Sequence, residues 1–398
     1  MAMSNDSISR VAGLVEAVLP EVVGVRHRLH QFPELALVET ATAELVRAAL
    51  VRLGLQPRPP LLGTDVIALL EGPRPGPNVT LRADLDALPL REKTDLPYQS
   101  RHEGRMHACG HDGHTAMLLG AAMVLSQLRQ ELRGSVRFVF QPGEEVVAAG
   151  RDLVAKGALL EPSPAAVFAL HAWPGLPLGA ICSRPGPMMA AAEFFTLVIH
   201  GKGGHGSRPE DSVDPILAAA RVIEALQAVV SRHLSPLESA VVSICRVSAG
   251  SNSNIIPDTA ELEGTTRSLT LEVGRQIPGL MERAIKGACD ALGATYEFRY
   301  SDSYIPTHNH EAIVALGQRV AERALGPEFW VLLKQPSMGG EDFAYYLQDY
   351  PGAMFFLGMG EACAPLHSPQ FDFRDAALRH GILFLVCATL EALAPGRP

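Results

Sequence analysis

Four short runs, VIALLEG, NVTLRAD, VRFVFQP and AVFALHA, constrain this chain most, because each is apolar on both faces and bounded by glycine, proline or asparagine. A strand with one wet face alternates apolar and polar residues, so runs like these belong to a sheet buried on both sides. Helical stretches such as TAMLLGAAMVLSQLR and GRDLVAKGALL separate them. That alternation predicts an α/β fold, a mostly parallel sheet covered by helices. Ahead of the sheet, apolar positions at helical spacing predict helices from Ile8 to Leu29 and from Ala41 to Leu53, parted by a turn at Phe32, Pro33 and Glu34.

The texture changes near Pro185 to Met189. A strand with clean alternation (EFFTLVIHG), a helix (DPILAAARVIEALQAVVSR) and further strand text (AVVSICRVSAG, ELEGTTRSL) read as an inserted α+β unit that closes after YEFRYSDSY. From about Glu311 the first pattern returns, with SMGGEDFAYYL, the strand AMFFLG and a closing helix from Arg374. Two domains are therefore expected, in keeping with a length of 398 residues. One is discontinuous, residues 1–187 plus 305–398, and the other is the insertion, residues 188–304.

In parallel sheets, ligands gather beyond the carboxyl ends of the strands. The polar residues at those ends are chemically pointed: Asp84 and Asp86 after NVTLRA, Glu144 and Glu145 after VRFVFQPG, and His171 after AVFAL. Cys109 and His111 lie one residue apart in MHACGHDGHT, and His367 sits in LHSP. Soft sulfur, imidazole nitrogen and a carboxylate together suit zinc, manganese, nickel or cobalt better than calcium or magnesium. A bland alternative for Cys109 and His111 is a buried thiol beside a helix-capping histidine. His107 and His114 share the same stretch, and either could support a ligand from behind or be merely polar; for His114, at the opening of TAMLLGAAM, capping or packing is the expected job.

Composition narrows the class. With 34 basic residues against 43 acidic, the net charge of -9 argues against nucleic acid or an anionic membrane as partner and for a small molecule. Six cysteines without short regular spacing point to a reducing compartment. The opening MAMSNDSISR has no basic region leading into an apolar one, and the run ILFLVCATL is about half of the roughly 20 residues a membrane span needs, so a cytoplasmic protein is expected.

RADLDALP, MHACGHDGHTAMLLGAA, FQPGEE, LHAWPG, GKGGHGSRP, SNIIPD, GTTR, MGGEDFA and LHSP, in this order, resemble the metal-dependent peptidase family of aminoacylase and glutamate carboxypeptidase. Within it the chain is most similar to the amidohydrolase branch of hippurate hydrolase and the indole-acetyl-amino-acid hydrolases. The resemblance implies a zinc-exopeptidase-like catalytic domain with an inserted lid and dimerisation domain hinged near Pro187 and Tyr304. It implies two divalent metal ions (Mn, Zn, Ni or Co) on Cys109, His111, Glu145, His171 and His367. Asp84 and Asp86 stand where peptidase members carry a metal-binding histidine and its carboxylate, so here they are expected to orient the ligating imidazoles. Adjacent residues of an extended segment project to opposite sides, so one carboxylate can grip a metal while its neighbour stays free; the resemblance gives Glu145 the metal and Glu144 the role of general base, two surface glutamates in a loop being the bland alternative.

In the insertion, the resemblance gives His205 a place beside the reacting carbonyl, in its own or a partner's site, and gives Asn254 and Arg267 the substrate's free carboxylate. A solvated histidine in a glycine-rich hairpin, and an Arg267 paired with Glu261 or Glu263, are the bland alternatives. The implied activity is hydrolysis of N-acyl amino acids (hippurate-, N-acetyl- or indole-acetyl-like) to a carboxylic acid and an amino acid, by a homodimer. A dipeptidase or aminopeptidase of the same family is the alternative, and an inactive binding or scaffold protein is the alternative from another class.

Overall fold

The computed structural model describes residues 3–394. The chain folds into two compact units, 1–186 with 308–335 and 342–398, and 187–307 with 336–341.

The first unit opens with two helices, α1 (Asn5–Gln31) and α2 (Thr40–Arg52). They are followed by strands β1 (Val66–Glu71) and β2 (Arg74–Asp84), helix α3 (His111–Gln127), and strands β3 (Arg133–Gln141) and β4 (Pro164–Trp173). The four apolar runs lie in these four strands. Three further strands, Ile181–Ser183, Trp330–Leu332 and Gly352–Gly358, complete a seven-stranded sheet. Its centre is parallel: β3 with β2, β2 with β4, and β4 with Gly352–Gly358. Antiparallel pairs enter at β1 with β3 and at Gly352–Gly358 with Ile181–Ser183. So VIALLEG is an antiparallel edge strand despite its apolar text, which the period alone does not distinguish.

Helix α3 explains how the sheet is covered. Its residues from His111 to Leu125 are all buried, the pattern of a helix that is apolar all round. It packs against α1 and against the helix Asp375–Ala392. Close crossing is allowed by Gly120, where a Cβ would stand 2.7 Å from Ile382 and 3.0 Å from Val22. Among the described residues, no helix is long and apolar enough to cross a membrane.

The second unit is a four-stranded antiparallel sheet in the order Thr295–Tyr304, Ala191–His200, Thr259–Ser268, Ala240–Ala249. Period-2 text places Phe195, Leu197 and Ile199 on one face, where they pack with Val222 and Leu226 of the helix Pro215–Ala228 and with Ile277 and Met281 of the helix Leu271–Asp290. The opposite face is largely polar, with Arg246 held between Glu263 (2.7 Å) and Glu261 (3.3 Å).

Candidate metal centre

The carboxyl ends of β2, β3 and β4 and the start of α3 converge in the first unit. Gly110, at φ 89°, caps α3 and lets Cys109 and His111 flank its first turn; a Cβ there would meet Ala172 at 3.0 Å. A side chain at this position would be both strained and crowded. After β3, Gly143 at φ 64° turns the chain into a single helical turn, Glu144–Val147. The two glutamates therefore do not lie on an extended segment. Their divergence comes instead from a turn whose first two N–H groups, those of Glu144 and Glu145, both donate to Asp86 at 3.0 Å. Asp86 thus caps the turn that carries both carboxylates.

His367 arrives on a loop at φ 63°, a left-handed conformation uncommon for a residue with a side chain. Its N–H donates to the Ala108 carbonyl at 2.8 Å, which pins it beside Cys109.

Among the described residues, five groups of three ligand atoms lie within 4.8 Å of one another: Asp84 with His111 and His114, His111 with Glu144 and Glu145, Glu144 with Glu341 and Asp342, and two triads that carry sulfur, Cys109 with His111 and His171, and Cys109 with Glu145 and His367. Cys109 belongs to both. Its sulfur stands 3.5 Å from His171 Nε2, and Glu145 spans from His111 Nε2 (3.8 Å) to His367 Nε2 (3.5 Å). His171 Nδ1–H donates to the Ala172 carbonyl at 2.8 Å, so Nε2 presents its lone pair toward Cys109.

Protonation follows from burial and charge. Burial, then the carboxylates of Glu145, Glu144 and Asp84, push the Cys109 thiol well up. Burial, with neighbouring imidazoles, holds His171 down at about 3, as a neutral lone-pair donor. Burial opposes charge on His111, but Asp84, Asp86 and Glu145 outweigh it and raise it to about 10. Burial likewise opposes charge on Glu145, but His367 and His111 outweigh it and lower its carboxyl; the Glu145 hydrogen bond, against the effect of burial, raises His367. The site is thus short of positive charge and compensates by holding protons.

Both ring nitrogens of His111 and Glu145 Oε1 are buried without a hydrogen-bond partner among the described residues. Buried polar atoms are seldom left this way. Divalent cations accepting sulfur, nitrogen and oxygen would satisfy Glu145 Oε1 and one His111 nitrogen and favour the thiolate, with Asp86 3.4 Å from Nδ1 on the other side of the ring, so the residues present fit a metal.

Around the triads, Asp84 accepts from Arg82 at 2.8 Å and stands 3.7 Å from His111. His114 neither caps nor simply packs: it is the fourth residue of α3, with Nδ1 2.6 Å from Asp84 and Nε2 accepting the Ala172 N–H at 2.8 Å. His107 is buried, held down at about 3 by burial, has no hydrogen bond among the described residues, and belongs to neither triad. Sequence reading missed the polar support behind α3, where Arg26 binds Asp112 at 3.0 Å and His30 binds the same carboxylate at 2.8 Å.

Residues 80–391 match peptidase family M20/M25/M40. The chain belongs to this family. Among its M20 relatives, a Bacillus subtilis N-acetylcysteine deacetylase is 42% identical over 359 residues, 90% of this chain and 93% of that one. An N-acyl-L-amino acid amidohydrolase of Geobacillus stearothermophilus is 41% identical over 309 residues, 78% and 82% of the two chains. A Bacillus subtilis M20 protein, described by its crystal structure as a dinuclear metal-binding peptidase, superposes with a TM-score of 0.82 at 36% identity, covering 95% and 99%. These likenesses put the chain in the amidohydrolase branch of M20.

The other three residues picked from the sequence lie in the second unit. His205 is exposed in the short strand Gly204–His205; Ser207 N–H donates to its Nδ1 at 3.1 Å, so the ring proton sits on Nε2. Asn254 accepts the Gly206 N–H through its carbonyl at 2.9 Å. Arg267 lies with its guanidinium 5.8 Å from the Phe194 ring, half-buried, and forms no ion pair among the described residues, since Arg246 takes both Glu261 and Glu263.

Proposed function

We propose that this protein is a metal-dependent hydrolase of N-acyl amino acids, releasing a carboxylic acid and a free amino acid. The observation that carries the reading is the pair of triads sharing Cys109, in which both ring nitrogens of His111 and Glu145 Oε1 are buried without hydrogen-bond partners among the described residues. Relatives named for deacetylation and amidohydrolysis of N-acyl amino acids supply the substrate class.

Cys109, His111, Glu145, His171 and His367 would hold two divalent ions, of the manganese, zinc, nickel or cobalt kind. When bound, such ions polarise the amide carbonyl and lower the pKa of water from about 15.7 toward 7. Glu144, on the capped turn, takes the proton of the attacking water and returns it to the departing amine nitrogen. His205, whose ring proton is on Nε2, donates to the carbonyl oxygen as it gains charge. Asn254 and Arg267 bind the free carboxylate, Arg267 through its two-pronged guanidinium. Asp84 and Asp86 orient the ligating groups. In this reading residues 188–304 form a lid and dimerisation domain, and the enzyme works as a cytoplasmic homodimer.

The test is a hydrolysis screen on stripped protein with manganese, zinc, cobalt or nickel added, using N-acetyl-, benzoyl- and indole-acetyl-amino acids against simple dipeptides. Turnover of the acyl amino acids is expected, and Glu144→Gln should keep fold and metal while losing about 10²- to 10⁴-fold in kcat. Preference for dipeptides would favour the peptidase alternative. No turnover of either class would favour a binding protein.

A further inference from the structure

Beyond its bonds to one carboxylate and one peptide, His114 stands where three elements of the first unit separate. The ladder between β2 and β4 ends at Arg82 opposite Ala169, so the N–H of Ala172 lies past the last strand pair on that side. His114 fills the gap. Its Nε2 accepts the Ala172 N–H at 2.8 Å, its Nδ1 is 2.6 Å from Asp84 Oδ1, and the next residue, Thr115, donates its hydroxyl to the Asp84 carbonyl at 2.7 Å. A backbone N–H is always a donor, so Nε2 must carry a lone pair and the ring proton must be on Nδ1, aimed at the carboxylate. The residue before Ala172 is His171, whose Nδ1–H donates to the Ala172 carbonyl. Ala172 is thereby held at both ends, by His114 at its N–H and by His171 at its C=O. The His114 and His171 rings lie 4.7 Å apart.

We propose that His114 is a positioning residue, which in its Nδ1–H form locks Ala172 and so aims His171 Nε2 at the metal side of Cys109. It touches none of the reacting atoms and acts only through its neighbours. The inference rests on the metal-site reading above, and the test separates the two. Partners of metal-binding imidazoles typically contribute ten- to a hundredfold in affinity.

A glutamine amide reaches the place of Nε2 and can still accept from Ala172, whereas an asparagine amide reaches only the place of Nδ1. Stripped parent, His114→Gln and His114→Asn are titrated with cobalt(II), reading affinity and the visible absorption of the bound ion. His114→Asn should lose about ten- to a hundredfold in affinity with a shifted spectrum, and His114→Gln should stay within about threefold with the parent spectrum. Parent-like affinity and spectrum in His114→Asn, or equal losses in both variants, would overturn the proposal. Histidine ¹⁵N resonances of the zinc-loaded parent, with His114 assigned by its disappearance in His114→Gln, test the tautomer without relying on a variant's fold. A proton on Nε2 would also overturn it. A parent that binds no cobalt would take down the metal-site reading together with this one.

Discussion

Arg26 gives the sharpest quantitative test of how the site is supported. Its guanidinium is buried and binds Asp112 at 3.0 Å, Asp375 at 3.2 Å and also Asp372, with Tyr98 stacked 4.6 Å away. Asp112 follows His111 directly and has no solvent exposure, and its ion-pair partners among the described residues are Arg26 and His30. Burial opposes that charge, yet Arg26 and His30 hold the carboxyl well below its ordinary value.

Arg26→Met would leave Asp112 charged and facing His30 alone, while Asp372 and Asp375 can turn to water. Breaking a buried pair in this way costs about 3–5 kcal/mol. At about 2–4 °C per kcal/mol for a domain of this size, the unfolding midpoint should fall by about 6–20 °C. Asp112→Asn should cost less, about 1–3 kcal/mol, because Arg26 keeps two carboxylates and His30 keeps Glu92. The double change Arg26→Met with Asp112→Leu should be less destabilised than Arg26→Met alone, because no uncompensated charge remains. The assay is thermal unfolding of metal-free protein at pH 7, followed by circular dichroism. A midpoint for Arg26→Met within about 3 °C of the parent, below the loss that uncompensated burial requires, would refute the reasoning. So would a double variant in which the two losses simply add.

Arg267→Ala should raise KM for N-acyl amino acids by at least about tenfold, since a charge-assisted hydrogen bond contributes about 1.5–3 kcal/mol and 1.4 kcal/mol is one decade. The corresponding amides and esters should barely change, and equal effects on both would remove Arg267 from carboxylate binding. His30 makes stability depend on pH: burial opposes its charge, but Asp112 and Glu92 raise it to about 9, above the ordinary 6.5. A raised folded pKa contributes stability that is fully present below pH 6.5 and lost as pH climbs through 9, at most about 3 kcal/mol in all. Midpoints of the parent and His30→Gln between pH 6 and 10 should converge at the alkaline end, and parallel curves would contradict this assignment.

The parallel centre of the sheet was legible because strands buried on both faces write continuous apolar text, and the insertion because its text alternates. What escaped has physical reasons. Ile181–Ser183 and Trp330–Leu332 are three residues each, too short to show a period. The edge strand β1 reads as a central one because Val66, Ile67, Ala68 and Leu70 are all buried. At the site, residue types in short phrases pointed to Cys109, His111, Glu145, His171 and His367, because sulfur, imidazole and carboxylate at strand ends have few other uses.

The supporting contacts were not legible. Arg26 and Asp112 are 86 positions apart, and nothing local marks them as partners. The turn at Glu144 depends on Gly143 reaching positive φ and on Asp86 capping from another strand's end, so a rule for extended neighbours misdescribed it. The place of His114 depends on where β2 and β4 part, a property of the sheet and not of the helix text that carries it.

Anomalous scattering from crystals grown with manganese or zinc, measured at that metal's absorption edge, tests the central claim most directly. Two peaks are predicted, one among Cys109, His111 and His171 and the other among Cys109, Glu145 and His367. A site holding no ion, or ions bound by residues outside these five, would contradict the account.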